Sequence, residues 1–133
     1  MAVKKVYITW EEVNSLLDII YSKEGNKFKY VTGIPRGGAI LAALYSHRFK
    51  VEYNHGANVD PDQLIIDDIA DSGGTLELWK NSFPTCTFAT LHYKNISKVK
   101  PEVYAQEIDE DYGWIVYPWE KEDSKTIQDY LDN

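Results

Sequence analysis

The stretch Ile65-Ile66-Asp67-Asp68-Ile69-Ala70-Asp71-Ser72-Gly73-Gly74-Thr75 gathers the side chains of this chain best suited to chemistry. Two adjacent acids at the end of an apolar run are costly to bury unless a cation, a hydroxyl or a hydrogen-bond donor meets them. The small residues that follow lead into a helix-forming segment, Leu76 to Asn81. A small-residue loop at a helix start offers backbone N–H groups and the positive end of the helix dipole to a phosphate. A ligand that needs both is a phosphorylated sugar, with its hydroxyls and bound Mg²⁺ against Asp67 and Asp68 and its phosphate in the loop from Asp71 to Thr75. An isolated Gly-Gly would equally suit a plain turn capped by the acids.

Two further groups of residues carry weaker signals. In Thr32-Gly33-Ile34-Pro35-Arg36-Gly37-Gly38 the glycines let the backbone approach an oxyanion, and Arg36 could add a charge-assisted hydrogen bond. Taken alone, a tight turn with a solvated Arg explains it as well. Lys94 follows an apolar segment, where a solvated strand end is the ordinary reading, and Trp114 is of a type that usually belongs to the core.

The elements that must position these residues follow from periodicity. Thr9-Trp10-Glu11-Glu12 has the form of a capping box, and Val13, Leu16, Leu17 and Ile20 continue at helical spacing, which predicts a helix from about Trp10 to Tyr21. Tyr30 to Ile34 reads as a strand entering the first glycine loop, and Ala39 to Arg48 as the helix that leaves it. Leu64-Ile65-Ile66 is an unbroken apolar run, the mark of a central parallel strand covered on both faces. Further strands are predicted at Thr87 to Tyr93, Val103 to Ala105 and Trp114 to Tyr117. A short helix over the tail from Lys121, with Ile127, Tyr130 and Leu131 at helical spacing, would close the chain. Strands alternating with helices predict an α/β fold with a mainly parallel sheet flanked by helices, whose ligands bind at the carboxyl ends of the strands. Both glycine loops belong there.

Composition narrows the class. The 133 residues suit one domain, and 44% hydrophobic with 26% charged residues is a globular balance. A formal net charge of −7 has the wrong sign for broad attraction to nucleic acid or anionic membrane. The absence of a long apolar run predicts neither a signal peptide nor a membrane span, and hence a cytoplasmic protein. Cys86 stands alone in an apolar-rich stretch and reads as a buried strand residue.

The run Ile65 to Thr75 resembles the motif that binds phosphoribosyl pyrophosphate (PRPP) in type I phosphoribosyltransferases. Tyr7-Ile8-Thr9-Trp10 and Trp114-Ile115 with Pro118-Trp119-Glu120 resemble the opening and ending of the bacterial xanthine-guanine members. The resemblance implies one phosphoribosyltransferase-like domain over 1–133 that uses Mg²⁺. Its activity would be transfer of the 5-phosphoribosyl group from PRPP to a 6-oxopurine (hypoxanthine, guanine or xanthine) with release of pyrophosphate.

Residue by residue, the resemblance implies that Asp67 and Asp68 hold the ribose hydroxyls or the metal. Asp71, Ser72, Gly73, Gly74 and Thr75 would take the 5′-phosphate, with Asp71 also near N7 of the base. Arg36 and Gly37 would form the pyrophosphate loop, and Arg36 and Asp71 would be the catalytic pair. Lys94 would donate to the 6-oxo group, Trp114 stack on the ring, and the Ile115 backbone read the 2-position edge. A homo-oligomer is implied as well. One departure stands out. Purine members usually carry a long mobile hairpin before the PRPP strand, whereas the interval from Lys50 to Gln63 is short and holds turn formers at Gly56, Asn58 and Pro61. This bears on turnover more than on binding, and it keeps open a PRPP- or nucleotide-binding regulator with weak catalysis. A transferase for a non-purine acceptor is the third reading.

Overall fold

The computed structural model describes residues 4–54 and 62–120. The expected turns at Gly56, Asn58 and Pro61 and the expected tail helix lie outside them. The described elements run β1 (Lys5–Tyr7), α1 (Trp10–Glu24), β2 (Tyr30–Gly33), α2 (Gly37–Phe49), β3 (Glu52–Tyr53), β4 (Leu64–Ala70), α3 (Gly74–Ser82), β5 (Thr87–Lys94), β6 (Val103–Ile108) and β7 (Trp114–Val116). β1 and β3 have no counterpart among the expected strands. The strand expected to stop at Ile66 runs on to Ala70, so Asp67 and Asp68 lie inside β4 rather than beyond its end.

Five strands form one parallel sheet in the order β3-β2-β4-β5-β6, and β1 pairs with β7 in a second, two-stranded parallel sheet. Period-two alternation along β4 explains why its apolar run is continuous. Leu64 and Ile66 enter the core beneath α1 and α2, while Ile65 enters a second core with Leu76, Trp79 and Phe83 at α3. The sheet is thus covered on both faces, and the buried Cys86 belongs to the α3 side. α2 and α3 leave neighbouring strands, β2 and β4, towards opposite faces. Their connecting loops therefore flank one crevice at the carboxyl ends of those strands, the usual ligand position in such sheets.

The three helices begin differently. α1 carries the expected capping box, with the Glu12 N–H donating to Thr9 Oγ1 and the Thr9 N–H donating to Glu12 Oε1, both at 3.1 Å. Such a cap contributes about 1 kcal/mol. Neither α2 nor α3 has a side-chain cap. The start of α1 thus meets its own amides with side chains, whereas the starts of the two helices that face the crevice do not.

Candidate active site

The loop after β4 is shaped by Gly73, which precedes α3 with φ +91°, a conformation costly for any other residue. A side chain there would also strike Ser97 Oγ at 2.6 Å. Among the described residues Thr75 Oγ1 is buried without a hydrogen-bond partner, and the Gly74 N–H has only a long 3.4 Å contact to Ser72 Oγ. An anion seated on the first turn of α3 would satisfy these groups.

The first glycine loop packs directly on the acid pair. A β-carbon on Gly37 would lie 2.4 Å from Asp68 Oδ2, so only a glycine lets the two meet. Arg36 is exposed at the start of α2, and its peptide bond with Pro35 is cis. Asp67 and Asp68 turn their carboxylates back on their own strand, with the Asp68 N–H donating to Asp67 Oδ1 at 2.9 Å and the Ile69 N–H to Asp68 Oδ1 at 2.8 Å. Burial, and then the charge of Asp68, pushes the Asp67 carboxyl well above the usual range. Burial likewise pushes Asp68 up to about 6, with Glu120 adding repulsion. Two crowded hard-oxygen donors fit Mg²⁺, which needs only one or two carboxylates when phosphates and water complete its shell. The described residues contain no group of three or more acidic, His or Cys ligands suited to a metal.

Strand register brings Asp71 and Lys94 together. β4 and β5 pair Ile69 with His92 and Ala70 with Tyr93, so the next step sets Asp71 beside Lys94. Their side chains form an ion pair of 2.9 Å. Lys94 is 15% exposed and so is not the solvated strand end that its position allowed. Trp114 lies half-buried on β7 and Ile115 is buried. Among the described residues, no hydrogen bond, ion pair or ring contact joins Trp114 to Lys94 or Asp71.

Sequence reasoning gave no role to the group that ties β7 to the acids. The Tyr117 hydroxyl donates to the Asp68 carbonyl at 3.2 Å and lies 2.8 Å from His92 Nδ1. With its one proton given to Asp68, the hydroxyl accepts from His92, which assigns the neutral Nδ1–H tautomer. Burial pulls His92 down to about 4, and burial raises the Tyr117 hydroxyl, so both stay neutral. A histidine inside an apolar strand was the one signal available.

This group has a consequence for acid stability. Below about pH 6.5 an unfolded chain takes up a proton that folded His92 refuses until about pH 4, so stability falls across that window, by up to about 3 kcal/mol. Asp68, with a raised folded value, opposes this over part of the range. Comparing the parent with His92→Gln separates the two, because both proteins keep the acids. Chemical denaturation at pH 6.5 and 4.5 should show a smaller acid loss in the variant; equal losses would contradict the assignment.

No family model matches the chain. Xanthine-guanine phosphoribosyltransferase of Nitratidesulfovibrio vulgaris strain Hildenborough is 26% identical over an alignment 143 positions long, gaps included, spanning 90% of this chain and 87% of its own length. That of Cereibacter sphaeroides is 28% identical over 121 residues, spanning 73% and 72%. The crystal structure of purine phosphoribosyltransferase from Pyrococcus horikoshii Ot3 superposes with a TM-score of 0.75 at 27% identity, covering 93% of this chain and 98% of that one. The chain is therefore similar in sequence and fold to type I phosphoribosyltransferases, the class of PRPP-dependent glycosyltransferases. Within that class its curated relatives are the bacterial xanthine-guanine enzymes.

Proposed function

We propose that this protein transfers the phosphoribosyl group of PRPP to a 6-oxopurine, releasing pyrophosphate. The observation that carries the proposal is the Lys94–Asp71 pair at the mouth of the phosphate loop. Its ammonium is a donor and its carboxylate an acceptor, side by side. A 6-oxopurine with hydrogen on N7 presents the reverse order, an acceptor at O6 beside a donor at N7. Adenine would set its 6-amino donor against the lysine, donor facing donor with no hydrogen bond formed, which discriminates against it.

In this reading the amides at the start of α3, Ser72 and Thr75 hold the 5′-phosphate, while Asp67 and Asp68 hold the ribose hydroxyls. Arg36 and the Gly37 backbone face the leaving diphosphate, where fixed donors stabilise developing negative charge. Mg²⁺ at the acid pair would supply further charge neutralisation to the diphosphate. Asp71 accepts the N7 proton as the base nitrogen bonds to C1′ and the bond from C1′ to pyrophosphate breaks. Trp114 stacks on the base, and the Ile115 backbone reads its 2-position edge. Assembly as a homo-oligomer and a cytoplasmic location complete the proposal; in its support, no described helix is long and apolar enough to cross a membrane. A complex with a 6-oxopurine nucleotide tests the carrying observation. Lys94 Nζ should lie within hydrogen-bond distance of O6, and a base lying elsewhere would overturn it.

A second reading, a PRPP- or nucleotide-binding regulator, is favoured by one observation. Only residues 54–63 separate β3 from β4, too few for a long hairpin over the crevice. A site open to water weakens electrostatic stabilisation of the departing diphosphate and lets water compete with the base. We expect ordinary PRPP affinity, slow transfer and measurable pyrophosphate release from PRPP with no base present. Fast transfer without such release would mean that water is excluded by other means.

A further inference from the structure

Trp119 has no place in the reaction as described so far, yet its indole reaches the crevice. A β-carbon on Gly37 would lie 3.4 Å from Trp119 Nε1 as well as 2.4 Å from Asp68 Oδ2, so the indole N–H and the carboxylate border the same glycine. Among the described residues that N–H donates to no hydrogen bond. The ring is not loose. It stacks on Tyr117 with centroids 5.0 Å apart and planes 3° from parallel, and Trp10 of α1 packs on it at 5.8 Å. Tyr117 is in turn fixed by the Asp68 carbonyl and His92. The turn itself is closed by Glu120, whose Oε1 accepts from the Tyr117 N–H at 2.9 Å while its N–H donates to the Tyr117 carbonyl at 2.9 Å.

A neutral donor held rigidly beside two crowded carboxylates is suited to an anion brought there by a cation. It adds no charge that would expel the metal, and its orientation costs no side-chain entropy on binding. Indole donates and cannot accept, so its target must carry an acceptor oxygen. The phosphate loop follows β4 and packs towards the loop after β5, where a side chain on Gly73 would meet Ser97, Lys98 and Val99, whereas Gly37 abuts Asp68. The ligand group nearest Gly37 is therefore the diphosphate and not the 5′-phosphate.

We propose that Trp119 is a ligand-binding residue whose indole N–H donates to a diphosphate oxygen of Mg²⁺-bound PRPP or pyrophosphate. This rests on the PRPP reading above and adds to it a donor from the far end of the chain, about fifty residues beyond the acids.

Trp119→Phe keeps a stacking ring and deletes the N–H. Calorimetric titrations of the parent and the variant with Mg²⁺-PRPP, Mg²⁺-pyrophosphate and ribose 5-phosphate separate the possible outcomes. The variant should bind both diphosphate ligands about tenfold more weakly and ribose 5-phosphate as the parent does. Equal binding of all three by parent and variant, or equal weakening of all three, overturns the role of Trp119. Failure of the parent to bind PRPP at all overturns the underlying reading instead. If the variant does not fold, the parent still decides the matter. With ¹⁵N-labelled indole, the Trp119 Nε1–H resonance should shift downfield with Mg²⁺-pyrophosphate and not with ribose 5-phosphate, and a resonance that stays put contradicts the proposal.

Discussion

Replacing both acids of β4, as Asp67→Asn with Asp68→Asn, is expected to weaken Mg²⁺-dependent PRPP binding by about 100-fold while raising the Tm of the ligand-free protein. The two effects share one cause. Half-buried beside each other and near Glu120, the carboxyls are held above their ordinary range, so the folded state keeps protons that the unfolded chain has released. Stability present below about pH 4 is lost as the pH rises through the folded values, and at pH 7 that loss is complete for Asp68. The amides remove it. A gain on the order of 5 °C in Tm at pH 7 should shrink towards zero at pH 4, which scanning calorimetry at both values would measure. A variant that binds PRPP as tightly as the parent would mean that the acids do not meet the ligand. A variant destabilised at neutral pH would mean that they serve the fold.

The second large effect concerns the base. Lys94→Met keeps most of the buried stem and removes the ammonium, so kcat/KM for a 6-oxopurine should fall roughly 100-fold while PRPP binding changes by no more than about threefold. The imbalance matters, because Lys94 is paired with Asp71 across the β4–β5 register. If Lys94 only neutralised Asp71 within the fold, its loss would disturb the adjoining phosphate loop and both quantities would fall together. Steady-state kinetics with the base varied, set beside direct PRPP binding, distinguishes the two.

Much of this site is legible in the sequence because its signals are local. A buried apolar run, two acids and a small-residue loop are contiguous, and each property follows from neighbours in the chain. The first glycine loop and the capping box of α1 are legible for the same reason. Other features arise only from register and pairing. β1 and β3 span three and two residues and exist through their partners, β7 and β2. The apolar run of β4 marked its start, but its continuation through Asp67 and Asp68 depends on the β5 ladder that reaches Ala70. His92, Tyr117 and Trp119 lie on different strands and turns, and no spacing rule links them to Asp68 or Gly37. Sequence similarity could mark the ending Trp114 to Glu120 as characteristic without saying what its tyrosine and second tryptophan touch.

Incubating the protein with PRPP, Mg²⁺ and a panel of bases, and measuring nucleotide and pyrophosphate together, shows whether it transfers phosphoribose to a 6-oxopurine. Nucleotide is expected from at least one of hypoxanthine, guanine and xanthine, matched by pyrophosphate beyond any released without base, and none from adenine. Nucleotide from adenine in preference to all three, or no nucleotide from any base by a protein that binds PRPP, would contradict that expectation.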